Sequence, residues 1–114
     1  PSGWHLPSDA EWTELTDYLG GVDVAGGKLK EIGTAHWSGP NSGATNETGF
    51  TALPGGDRGH TEFHGLGEYG SWWSSTEVVG TNDSYYRKLY FDSDLVWRGY
   101  LPQYPSYSVR CVRD

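Results

Sequence analysis

The stretch from Pro7 to Gly20 constrains this chain most, because it specifies a helix at both ends and along one face. Ser8 has the side chain of an N-cap, and Glu11 stands three residues on, the spacing of a capping box. Asp9 and Glu11 suit the positive end of the helix dipole. Trp12, Leu15 and Leu19 recur at i, i+3 and i+7, one stripe to bury, and Gly20-Gly21 ends the run. Residues 23–32 are expected as a second, shorter helix, with Asp23 as cap and Val24 and Leu29 as apolar anchors. Gly26-Gly27 inside it costs about 1 kcal/mol per glycine.

From residue 33 to 70 no long period survives. Short motifs interrupt a run of Gly, Asn, Ser, Thr and Pro: His36-Trp37, Asn46-Glu47-Thr48-Gly49-Phe50 and Leu53-Pro54-Gly55-Gly56. A stretch this long inside a small domain is expected as a packed or functional loop region. From residue 71 the chain turns β. Ser71 to Thr76 is a short strand. Tyr85, Arg87, Leu89 and Phe91 alternate with Tyr86, Lys88 and Tyr90, the pattern of a half-buried strand. Asp92-Ser93-Asp94 is turn chemistry, and Leu95 to Arg98 returns as the hairpin partner. Ser106 to Val112 is the last strand. Helices first, loops next and antiparallel strands last make an α+β fold in one domain spanning 1–114.

With six Trp and eight Tyr, aromatic side chains supply much of the area that so short a chain can bury. Trp4, Trp12, Trp37, Trp72 and Trp73 lie in or beside apolar patterns and are expected in the core. The net charge of −7 comes without any cluster of Lys or Arg. That argues against nucleic acid, which needs phosphate neutralisation, and against an anionic membrane surface. No apolar run is long enough to span a bilayer. One Cys, no Met, many Tyr, Trp, Asn, Ser and Gly, and an acidic balance fit an extracellular bacterial protein.

No catalytic constellation emerges. His60 and His64 are spaced i, i+4, but Glu62 is one position away from the metalloprotease pattern, and Gly59 and Gly65 deny a helix. Exposed loop histidines are the default reading. Asp92-Ser93-Asp94 and Asn82-Asp83-Ser84 place carboxylates in loops, as calcium sites do, though acidic hairpin tips are mostly solvated caps. Asp57 and Glu62 take the same discount. No G-x-S-x-G elbow is present, and no glycine-rich phosphate loop joins a strand to a helix. Cys111 sits in a strand pattern between Val109 and Val112, with no activating base near it in sequence. Calcium is therefore the one cofactor left open. Tyr85, Trp97, Tyr100, Tyr104 and Tyr107 mix with polar residues near the C-terminus. They form either a recognition face of rigid aromatics or, in alternation, inward-packed side chains.

Several strings together resemble a known family. These are Gly3 to Trp12, Gly27-Lys28-Leu29-Lys30-Glu31, Ala44 to Phe50, Ala52 to Gly56, Trp72 to Thr76 and Ser108 to Val112. In this order, over nearly the whole chain, they resemble the Fibrobacter succinogenes major paralogous domain. That family is similar to C-type-lectin-like and formylglycine-generating-enzyme-like folds. The resemblance implies two N-terminal helices, a small twisted antiparallel sheet with paired termini, and long irregular loops. It also implies a domain excised from a longer secreted or lipid-anchored protein, and a cysteine just before Pro1 that would pair with Cys111. The catalytic cysteines of formylglycine-generating enzymes have no counterpart beyond Cys111, and the Glu-Pro-Asn tripeptide of true C-type lectins is absent.

The expectation is a non-catalytic binding or adhesion module at the bacterial surface. Its partner is a glycan or a cell-surface protein, and its contacts are Asn82, Asp83, Tyr85, Trp97, Arg98, Tyr100 and Tyr104. Ser8, Glu11, Trp12, Trp72, Trp73 and Cys111 form the framework. Self-assembly as a subunit of a surface appendage is the alternative, and an enzyme related to the formylglycine group is the remote third.

Overall fold

A computed structural model describes residues 1–114. Nine elements follow one another: β1 (Trp4–His5), α1 (Asp9–Tyr18), α2 (Val22–Leu29), β2 (Asp57–Arg58), β3 (Phe63–His64), β4 (Tyr69–Glu77), β5 (Asp83–Tyr90), β6 (Trp97–Pro102) and β7 (Val112–Arg113). The α+β class holds, with two helices first and antiparallel strands after them.

Helix α1 forms as its sequence dictates. The Glu11 N–H donates to Ser8 Oγ at 3.1 Å, and the Ser8 N–H donates to Glu11 Oε2 at 2.8 Å, closing the capping box. Trp12 and Leu19 are buried and Leu15 packs beside them. Helix α2 departs from its sequence reading. It ends at Leu29, its N-cap is Gly21 at φ 103°, and Asp23 lies in the first turn rather than capping it. Val24 is exposed, and Ala25 and Leu29 are the anchors. The glycine pair is there for close approach. A Cβ on Gly26 would stand 2.6 Å from the Asp94 carbonyl oxygen, and one on Gly27 would stand 2.7 Å from the Gly43 carbonyl carbon.

The strands make three small sheets: β1–β7, β2–β3 and β4–β5–β6. The chain ends meet, with Trp4 opposite Arg113 and His5 opposite Val112. The expected closing strand from Ser106 to Val112 shrinks to Val112–Arg113, and Cys111 stands just before it without a disulfide. Upstream, the segment makes single bridges, Ser106 to Arg58 and Ser108 to Trp72, because it crosses from one sheet to another. The hairpin partner of β5 begins at Trp97 rather than Leu95. Val96 is drawn into the core instead, its N–H donating to the Val22 carbonyl at 2.8 Å.

The core is Trp12, Leu19, Ala25, Leu29, Trp37, Ala52, Trp72, Leu89 and Val96. Trp37 shows that the long loop region is packed, since its indole N–H donates to the Ala52 carbonyl at 2.9 Å. Trp4 does not join the core; it is 48% exposed on the two-residue β1, too short a strand to be covered on both faces. Trp73 is only half-buried, because it points away from the face that carries Trp72. Lys30 is completely buried, and its ammonium donates to the carbonyls of Tyr90 (2.9 Å) and Ser93 (3.0 Å). Burial pushes its pKa down to about 8, against the pull of Asp94 and Asp92.

Candidate recognition cleft

Side chains alternate across β4–β5–β6, which gives the sheet two distinct faces. One face meets α1. There Arg87, 1% exposed, donates to Asp9 Oδ1 at 2.6 Å, and Arg98 holds the same carboxylate through Nε (3.1 Å to Oδ1) and Nη2 (2.8 Å to Oδ2). Arg98 also lies 4.2 Å over the Tyr85 ring, and Tyr100 meets Tyr85 edge-on at 5.9 Å. Three expected contact residues, Tyr85, Arg98 and Tyr100, are therefore neighbours, tied to the start of α1.

Of the remaining four, Asp83 shares the face of Tyr85, two residues along β5, and the other three lie elsewhere. Trp97, 51% exposed, is on the opposite face, edge-on to Tyr90 at 6.2 Å. Tyr104 stacks on His60 at 4.4 Å in the loops. Asn82 is exposed in the turn between β4 and β5, and Asp83 opens β5 opposite Pro102. The seven do not form one continuous surface.

The opposite face is an aromatic layer: Tyr69, Trp73, Tyr86, Tyr90, Trp97 and Tyr107. Gly99 makes it possible, because a Cβ there would stand 2.7 Å from Cζ of Tyr86. Lys88 Nζ sits 3.7 Å over the Tyr69 ring and 4.0 Å from Asp57 Oδ2. Burial lowers the Lys88 pKa and Asp57 raises it back in part. Burial, with Asp57 beside it, pushes the Tyr69 hydroxyl up to about 12. Burial likewise raises Tyr107, with Tyr86 and Asp57 adding to it. The Tyr69, Tyr90 and Tyr107 phenols, all raised by burial, therefore stay neutral at physiological pH.

At one end of the layer the β4–β5 pairing shifts register between Trp73 and Glu77. Such irregularities bend a strand and re-aim its side chains. Here the shift accompanies a cleft of about 410 Å³ lined by Leu6, Trp73, Ser74, Ser75, Ser84, Gln103 and Val109. Tyr107 stacks on Trp73 at 4.6 Å and Tyr86 meets it edge-on at 6.2 Å, so the indole is held in place. Gln103 Nε2 donates to Ser84 Oγ at 2.5 Å and lies 3.5 Å from Glu77 Oε1. Ser74 Oγ accepts the Thr76 N–H at 3.3 Å. The volume falls in the range of small-ligand sites, about 300–1,000 Å³.

Sequence reasoning placed Trp73 in the framework and missed Ser74, Ser84 and Gln103. Ser74 and Ser84 are hydroxyls at buried strand positions, where apolar residues are the rule, but that burial becomes visible only in the fold.

A second cleft, about 320 Å³, is lined by Pro7, Glu11, Trp12, Leu15, Phe50, Arg110, Cys111 and Val112. It is mostly apolar, and Arg110 already lies over Phe50 at 4.3 Å. No three His, Cys, Asp or Glu side chains converge to hold a metal ion. In the Asp92–Asp94 turn, the Ser93 carbonyl is already taken by the Lys30 ammonium. His60 and His64 do not share a helix; His64 lies in β3, 3.6 Å from Asp57. No helix is long and apolar enough to cross a membrane.

A family model described as the Fibrobacter succinogenes major domain matches residues 1–113. No curated protein and no solved structure matches the chain.

Proposed function

The chain belongs to the Fibrobacter succinogenes major domain family, and from that premise we propose that it is a non-catalytic recognition module of the bacterial surface. It would take a glycan or a surface protein as ligand. The observation that carries this reading is the cleft opened at the β4–β5 register shift, where a fixed Trp73 stands beside Ser74, Ser84 and Gln103. An apolar wall with a few convergent polar groups is the usual form of a ligand site.

Support for a non-catalytic role comes from the lining itself. None of its seven side chains titrates near neutral pH, so it offers no general acid, base or activated nucleophile. The paired chain ends and long packed loops agree with a lectin-like arrangement, the finer fold assignment we favour. The test is binding of the purified domain to glycan arrays and to surface proteins, with two exposed positions replaced in turn. Gln103→Ala should weaken binding and Tyr100→Ala should not; the reverse pattern would move the site to the Tyr85–Arg98–Tyr100 corner.

A further inference from the structure

We infer that the cleft selects an uncharged, hydroxyl-rich ligand of the neutral pyranose type, and that it does so without a bridging metal ion. The inference rests on the reading of this cleft as the ligand site. Its side-chain polar groups are all neutral: three serine hydroxyls, one primary amide and one indole N–H. The Gln103 amide donates to Ser84 Oγ and its nitrogen lies 3.5 Å from Glu77 Oε1, which leaves Gln103 Oε1 as a free acceptor. Ser84 Oγ and Ser74 Oγ already accept, from Gln103 Nε2 and the Thr76 N–H, so their hydroxyl protons are available to donate. Donors and an acceptor side by side match a vicinal diol, in which each hydroxyl gives and takes a hydrogen bond.

The lining disfavours the alternatives. An anionic ligand would meet no Arg or Lys in the lining, would find Glu77 beside Gln103, and would approach a chain of net charge −7. A cationic ligand would meet no carboxylate in the lining itself, and Glu77 at its edge is already turned toward the Gln103 amide. A wholly apolar ligand would leave the free donor of the Ser84 hydroxyl and the free acceptor of Gln103 without a partner from the ligand, and would gain no hydrogen bond from the polar side of the cleft. Leu6, Trp73 and Val109 make the apolar part of the lining, against which the C–H groups of a sugar ring would pack.

The experiment is an array of neutral, sialylated and sulfated oligosaccharides, read with and without EDTA, followed by calorimetric titration of the neutral glycan that binds. The expected result is saturable binding of a neutral glycan, unchanged by EDTA and weakened about fivefold or more by Gln103→Ala. Ser84→Ala should act in the same direction. Gln103 is exposed, so its replacement leaves the fold intact, and circular dichroism checks this. Binding confined to charged glycans, or abolished by EDTA, would overturn the inference while leaving the recognition reading in place. A protein ligand lost on Gln103→Ala, with no glycan bound, would do the same. No binding of either ligand class would overturn both.

Discussion

Asp9 and Arg87 are 78 positions apart in sequence, and their side chains meet at 2.6 Å where α1 starts over the middle of β5. The arginine is buried, and the carboxylate is shared with the exposed Arg98. Asp9→Asn keeps the shape and removes the charge that Arg87 depends on. The expected loss is about 3–5 kcal/mol, because one partner of a buried pair is left uncompensated. Thermal unfolding should show a midpoint lower by about 10 °C or more. A drop of less than about 4 °C would mean that water, not Asp9, neutralises Arg87.

The same carboxylate sets an acid limit. Burial raises the Asp9 pKa, but the hydrogen bonds from Arg98 and Arg87 outweigh it and hold the group below the ordinary carboxylate range. A lowered folded-state pKa gives stability that is present above the unfolded value, near 3.9, and lost as pH falls through the folded value. Acid unfolding should therefore be shallower in Asp9→Asn than in the parent chain. Identical slopes below pH 4 would contradict this.

His5 acts in the opposite direction. Its ring bonds Asp114 through Nδ1 and Glu11 through Nε2, each at 2.7 Å, and joins both chain ends to the capping box of α1. The hydrogen bond to Asp114, then that to Glu11, raises its pKa. The contribution is complete below the unfolded value of about 6.5 and is lost as pH rises through the folded value. An NMR titration should place His5 above 6.5; a midpoint at or below 6.5 would show that the clasp is open in solution.

Gly26 separates local preference from tertiary fit. Alanine should favour the helix by about 1 kcal/mol. The missing Cβ, however, is where the backbone of Asp94 and Leu95 passes, and forcing an atom in costs about 1–3 kcal/mol or more. Gly26→Ala should therefore destabilise in urea unfolding, and an increase in stability would refute the close approach.

Lys30→Met would leave the carbonyls of Tyr90 and Ser93 without their donor and should cost about 2 kcal/mol or more. Because the folded pKa, about 8, lies below the unfolded value, the unfolded chain binds more protons from there to about 10.4. The contribution of Lys30 to stability thus grows over that window, and the gap between parent and variant should widen from pH 8 to pH 10. A constant gap would contradict the buried ammonium.

What the sequence revealed follows from how local each feature is. The Ser8–Glu11 box and the Trp12–Leu19 stripe are fixed within one helix, and both were legible. The alternation of Tyr85, Arg87 and Leu89 was legible too, though not that Arg87 would be buried against Asp9. Gly26-Gly27 read as a helix defect because its reason lies in segments near residues 43 and 94. The Ser106–Val112 strand failed because pairing depends on which edge the segment passes, and it passes two. The cleft was the least legible feature. It depends on a register shift between Trp73 and Glu77 that no residue pattern announces, and on Gln103 reaching Ser84 across the hairpin.

The most direct test of the recognition cleft is an NMR titration of the labelled domain with a glycan or surface protein that it binds. It would follow the Trp73 indole N–H and the Gln103 side-chain amide. Those two signals should shift most, with Ser74 and Ser84 close behind and Tyr100 and Tyr104 still. Shifts centred on Trp97, Tyr100 and Tyr104, with Trp73 and Gln103 unmoved, would contradict the account.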